Sequence, residues 1–184
     1  MIDPTDAPDM KYYYISLAEW NTDGDFENWT LNNANEQSVS NELLTATGAG
    51  NGDCQIVKSD AEGLPAVDID KHKIVELRLK SHASTTKLDL FYATVNNPEL
   101  SEERCVKIEG VLIPQDEKYH VYRLDLSNES YWEGTLKTFR LDPVSSTGTT
   151  FQVDYIRVGK IAPVPEPAMF GLLSLLGIGR LKMK

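Results

Sequence analysis

Between residues 11 and 160 apolar and polar side chains alternate in short runs, with turn residues between the runs and no stretch that repeats at helical spacing. In residues 74–80, Val75, Leu77 and Leu79 alternate with Glu76, Arg78 and Lys80; in residues 87–94, Leu88, Leu90 and Tyr92 share one face. A period of two sends successive side chains to opposite faces, so both segments read as half-buried strands. Further strands are predicted over residues 11–20, 26–31, 42–47, 106–113, 119–126, 136–141 and 151–158. Nine strands with no convincing helix before residue 164 predict an all-β sandwich.

The connections predicted at residues 21–25, 47–53, 96–103, 127–134 and 143–149 are rich in Asn, Gly and Asp. Loops at the ends of a rigid sandwich are where binding usually resides. The organisation expected is an N-terminal extension over residues 1–10, a β-sandwich domain over 11–160, and a tail over 161–184 that opens with a stiff proline spacer, residues 161–167. A chain of 184 residues, 41% of them hydrophobic, can bury one core. The formal charge of −10 and a pI near 4.7 exclude a nucleic-acid role, which requires a basic face.

The tail reads Val164-Pro165-Glu166-Pro167, then an uncharged apolar run over residues 168–179, then Arg180, Lys182 and Lys184. The prolines fix φ and lack an N–H, so the first four residues read as an extended, exposed segment. Met169, Phe170, Leu172, Leu173, Leu175, Leu176 and Ile178 would surround a helix on every side, unlike a helix docked on a core. Those twelve residues at about 1.5 Å each reach about 18 Å, short of a ~30 Å hydrocarbon core. The cations would stay at the inner face. The arrangement resembles the PEP-CTERM sorting signal. That resemblance implies an exosortase as partner, reading Val164, Pro165, Glu166 and Pro167. It also implies a short C-terminal hydrophobic helix as a transient inner-membrane anchor, held by Arg180, Lys182 and Lys184. The destination would be the cell envelope, the outer surface or the extracellular matrix. The opening Met1-Ile2-Asp3-Pro4 carries no apolar leader, so the expectation is a start missing upstream, a fragment, or a chain already cut at its N-terminus.

Two strings bracket the domain. Residues 19–29, Glu-Trp-Asn-Thr-Asp-Gly-Asp-Phe-Glu-Asn-Trp, resemble the opening of galactose-binding-like jelly rolls. Phe139-Arg140-Leu141-Asp142-Pro143, a turn with Gly148, and residues 151–158 are similar to that family's closing pair of strands. The resemblance implies a jelly-roll β-sandwich.

No nucleophile motif, zinc signature or phosphate loop is present, and His72, His82 and His120 stand in no catalytic pattern. Asp23, Asp25 and Glu27 place hard oxygen donors at alternate positions around Gly24, as a loop curling about calcium must. The jelly-roll resemblance adds Asp154 and implies a structural calcium between first and last strands. Asp154 also sits among Val153, Tyr155 and Ile156, where a carboxylate needs either a cation or a donor such as Arg140 or Arg157. Sugars stack on aromatic rings, and Tyr131-Trp132 in the polar loop 127–134 is the candidate ligand site; the other reading of Trp132 is a plug in the end of the core, where Trp20 and Trp29 are also expected. Cys54 and Cys105 read equally as a disulfide or as two free thiols. Together these features predict an exported, non-catalytic surface protein that contacts polysaccharide. The alternatives are a carbohydrate-binding module with a defined glycan site and a polysaccharide lyase or hydrolase.

Overall fold

A computed structural model describes residues 10–50, 52–82, 88–108 and 118–163. The predicted sorting tail, residues 164–184 with its hydrophobic helix, lies outside them. The described residues form eleven strands: β1 (Met10–Ala18), β2 (Thr30–Asn32), β3 (Ala34–Ser40), β4 (Leu43–Gly48), β5 (Cys54–Ser59), β6 (Ile74–Ser81), β7 (Leu88–Thr94), β8 (Cys105–Ile108), β9 (His120–Asp125), β10 (Leu136–Val144) and β11 (Thr150–Pro163). Short 3-10 turns occupy Asp60–Glu62 and Glu102–Arg104. Every pairing is antiparallel, and the strands make a sandwich of two sheets. One sheet runs β3-β4-β11-β6-β9 with β1 also on β11, and the other runs β2-β5-β10-β7-β8.

The long strand β11 organises the first sheet. Its beginning, Thr150 to Val153, pairs with β4, and from Ile156 to Pro163 the same edge is taken by β1, while β6 lines the opposite edge. Ile161–Pro163, predicted to begin the spacer, therefore belong to the sheet. At Asp154 the register with β6 slips by one residue between Val153 and Tyr155, a β-bulge in the middle of the strand.

The core is built as the alternation predicts. Leu44, Val75, Leu77, Leu79, Phe151, Val153, Ile156 and Val158 face Ile56, Leu88, Leu90, Tyr92, Phe139 and Leu141. Trp20 and Trp29 are buried with their rings 6.4 Å apart, and Phe139 meets Trp29 edge-on at 6.3 Å. The Trp29 indole N–H donates to the Leu17 carbonyl at 3.3 Å, as a buried indole requires.

Three departures from the expected strands have local causes. The strand predicted over residues 26–31 shrinks to Thr30–Asn32 because Glu27 and Asn28 turn the chain at φ 50° and 60°. β3 shows no apolar alternation because ANEQSVS has a single buried residue, Val39, and runs along a sheet edge. β5 lacks a clean alternation because Lys58 points inward, its ammonium 5.7 Å from the Trp29 ring, while Val57 stands on the other face.

Candidate functional site

The outer face of each sheet carries a polar and aromatic cluster, and the two differ in chemistry. On the five-stranded sheet Arg140 of β10 lies opposite Val57 on one side and Phe91 on the other. Its guanidinium stands 4.5 Å from the Phe91 ring centre and donates to Asp142 through Nε at 2.7 Å and Nη2 at 2.6 Å, with Asp53 at 3.3 Å. This is the two-pronged arginine–carboxylate geometry, which fixes a plane as well as a charge. The pair is sheltered, with side-chain exposures of 19% for Arg140 and 11% for Asp142. Burial pushes the Asp142 carboxyl above the usual range; Arg140 opposes the rise and Asp53 and Asp89 add to it. Asp89, Phe91 and Ala93 of β7 are also buried although their neighbours Leu88, Leu90 and Tyr92 are the ones that enter the core.

On the six-stranded sheet, strands β1, β6, β9 and β11 bring tyrosines and arginines together. Glu76 is buried and accepts from the Tyr14 hydroxyl at 2.6 Å, the Tyr155 hydroxyl at 3.0 Å and Arg123 Nε at 2.9 Å, with Arg123 Nη2 also in contact. Burial alone would raise the Glu76 carboxyl, but the hydrogen bonds from Tyr14, Arg123 and Tyr155 outweigh it and hold it below its ordinary value. Burial and then Glu76 push the Tyr155 phenol up to about 12, and Tyr14 higher still. Gly159 lets this happen: a Cβ there would come within 2.5 Å of the Tyr14 ring. Tyr12 stacks on Tyr14 at 5.9 Å with Arg123 4.4 Å from the Tyr12 ring, and Arg157 lies 3.9 Å from the Tyr155 ring and donates to Glu19 at 3.1 Å.

The residues singled out from sequence fall in different places. Trp132 is 1% exposed; its indole N–H donates to the His72 carbonyl at 2.9 Å and its ring meets Tyr92 edge-on at 4.7 Å. It plugs the core and offers no face to a sugar, which corrects its place in the predicted ligand site. Tyr131 beside it is 39% exposed. The predicted calcium ligands are engaged by protein donors: Asp23 accepts from Asn41 N–H at 2.9 Å, Asp25 from Glu27 N–H at 2.8 Å, and Glu27 from Glu19 N–H at 3.3 Å. Asp154 pairs with Arg78 of the neighbouring strand, not with Arg140 or Arg157. Among the described residues no group of three or more His, Cys, Asp or Glu side chains is placed to hold a metal ion.

Cys54 and Cys105 are both free thiols. They sit on β5 and β8 with β10 and β7 between them, and three inter-strand steps of about 4.8 Å give a separation on the order of 14 Å, well beyond disulfide reach. Burial, the largest cause, pushes both thiols up to about 12, which favours the protonated thiol at neutral pH.

Arg140 with Asp142 and the tyrosines of β1 are candidate site residues that the sequence patterns above do not single out. The available signal was the outward half of each alternation: Arg140/Asp142, Glu76/Arg78/Lys80 and Tyr12/Tyr14 are polar or aromatic residues two positions apart where a plain solvated face needs no such pattern.

No family model matches the chain, and no curated protein matches it. Its fold does match solved structures. A family 29 carbohydrate-binding module from Piromyces equi superimposes with a TM-score of 0.55 at 10% identity, covering 81% of this chain and 91% of that one. A variant family 29 module complexed with mannohexaose gives a TM-score of 0.55 at 9% identity, covering 81% and 92%, and another complexed with cellohexaose gives 0.54 at 9%, covering 80% and 91%. Other structures of that module carry alanine in place of an arginine or of an aspartate two positions further on, made to probe ligand recognition. At these identities the likeness is one of fold.

Proposed function

We propose that the chain is a non-catalytic carbohydrate-binding module of jelly-roll type whose glycan site is the outer face of the five-stranded sheet, centred on Arg140 and Asp142. The observation that carries the reading is the shared architecture with modules complexed with cellohexaose and mannohexaose. The arginine and aspartate probed in those modules have the i, i+2 spacing of Arg140 and Asp142 on β10. The chemistry suits the task. Asp142 and the Phe91 ring hold the guanidinium in one plane, and its five N–H donors exceed the three hydrogen bonds it makes to Asp142 and Asp53, so donors and acceptors stand side by side for adjacent sugar hydroxyls.

Lysine at position 140 keeps the charge but loses the planar fork. We expect Arg140→Lys to weaken binding of cellohexaose or mannohexaose by about tenfold or more, the loss of one or two charge-assisted hydrogen bonds. Titration calorimetry with a glycan array on residues 1–163 tests it. Unchanged affinity in the variant removes the site from this face, and silence of the whole array removes the module reading.

We also infer that residues 164–184 act as a sorting tail and that the domain is exported to the cell envelope. The support is the order of Val164-Pro165-Glu166-Pro167, apolar run and cations, which follows directly on Pro163, the last paired residue of β11. Glu166→Ala is expected to leave uncleaved precursor in the membrane fraction of an exosortase-bearing host. Equal processing of variant and parent rules the tail out as a signal.

A further inference from the structure

The bulge at Asp154 has a consequence on the six-stranded sheet that the first glycan site does not use. In a regular strand Asp154 would point to the face opposite Tyr155. The register slip instead leaves both on the outer side, where Asp154 contacts Arg78 and Tyr155 lies opposite Arg78 in the ladder. Bulges interrupt pairing and are kept where they re-aim a side chain. Around this one, Arg78 stands 4.7 Å from the Tyr119 ring and Lys80 5.6 Å from it, the Tyr119 hydroxyl donates to Gln152 at 2.8 Å, and the Gln152 amide donates to Thr45 at 3.2 Å. The cluster is open to solvent: the Arg78 side chain is 39% exposed and Asp154 20%.

Charge decides what kind of molecule fits. Arg78, Arg123 and Arg157 each contact one carboxylate, Asp154, Glu76 and Glu19 respectively, and Lys80 beside the Tyr119 ring adds one further cation, in a chain of net charge −10. With the three arginines already paired, Lys80 gives a polyanion little to hold against the overall negative charge, and a second copy of so acidic a chain is repelled as well. What the face does present is a row of phenol, guanidinium, carboxylate and amide groups beside aromatic rings, the combination that meets the hydroxyls and C–H faces of an uncharged sugar.

We propose that the outer face of the six-stranded sheet around Asp154, Arg78, Tyr119 and Tyr155 is a second glycan-binding surface that takes a neutral polysaccharide strand. The module is then bivalent, with one binding face on each side of the sandwich, and it bridges two strands, where linked sites raise avidity for a polymer without new contacts. This rests on the reading of the chain as a glycan-binding module, not on where that reading places the first site.

The test titrates residues 1–163 with cellohexaose and mannohexaose in three forms: parent, Arg140→Lys, and the double variant Arg78→Ala/Asp154→Asn, with melting curves and oligomeric state recorded for each. The Arg78–Asp154 pair is part-buried, so the melting curves separate a loss of folding from a loss of binding. The expected result is two binding events in the parent, one of them lost in the double variant and the other in Arg140→Lys. Tyr119→Ala is expected to weaken the same event as the double variant, by about tenfold. A single event lost in Arg140→Lys and kept in the double variant overturns this inference and leaves the first site standing. A single event lost only in the double variant supports this face and displaces the first. A change of oligomeric state in the double variant makes the face an interface between copies and overturns the inference. No binding of either hexaose by the parent overturns both.

Discussion

Glu76→Ala lowers the stability of the sandwich by about 3–5 kcal/mol, the usual cost of removing one partner from a buried ion pair. Glu76 is 4% exposed and is the common acceptor for Tyr14, Tyr155 and Arg123, drawn from three other strands of the sheet. Without it, Arg123 keeps a charge that is 18% exposed and two phenols lose their acceptor. Urea unfolding at neutral pH reads the loss, and a change below about 1 kcal/mol would show that water replaces the carboxylate. The same network sets an acid response. The Glu76 carboxyl is held below its ordinary value in the folded chain, so its contribution is complete above about pH 4.5 and is lost as pH falls through the lowered folded value. Asp142 works in the opposite sense: its raised folded value means that protonation on acidification relieves the folded state. Glu76→Gln therefore flattens the acid-side loss of stability of the parent, while Asp142→Asn does not.

Trp132→Ala costs a further independent 3–5 kcal/mol or about that, because it empties a large buried site between the loop it stands on and Tyr92. The indole also ties the loop to the His72 carbonyl, and the Lys73 ammonium donates to the Trp132 carbonyl at 2.7 Å, so the cavity loosens the connection before β6 as well. The prediction separates two roles. A core plug lowers the denaturation midpoint and leaves hexaose affinity unchanged for the folded fraction. A sugar platform does the reverse, losing affinity while the midpoint holds, and that result would restore Trp132 to the ligand site. Tyr131→Ala at the exposed neighbour is expected to change stability by no more than about 0.5 kcal/mol.

Alternation at period two was enough to establish an all-β chain, most of its strands and its core. Val75, Leu77 and Leu79, or Leu88, Leu90 and Tyr92, enter the interior for a reason local to each strand, since adjacent side chains must point to opposite faces. The same local rule failed where a strand runs along an edge, as β3 does, or turns a lysine inward over a tryptophan, as β5 does. Residue type alone leaves two readings open at Trp132 and at Asp154. An indole in a polar loop and a carboxylate among apolar neighbours are judged by their partners, and those partners, Tyr92 and Arg78, lie 40 and 76 positions away in the chain.

Both candidate faces depend on long-range register for the same reason. Arg140 meets Phe91 because β10 and β7 pair in one alignment, and Glu76 meets Tyr14, Arg123 and Tyr155 because four strands converge around it. A shift of one residue in any of those pairings would turn the outward set inward. The slip at Asp154 makes such a change at one position, bringing Asp154 and Tyr155 to the same side. The periodicity of the chain determines which residues are available to the core and which to the outer faces; strand order and register, which are properties of contacts between distant segments, determine which of the outward residues become a site.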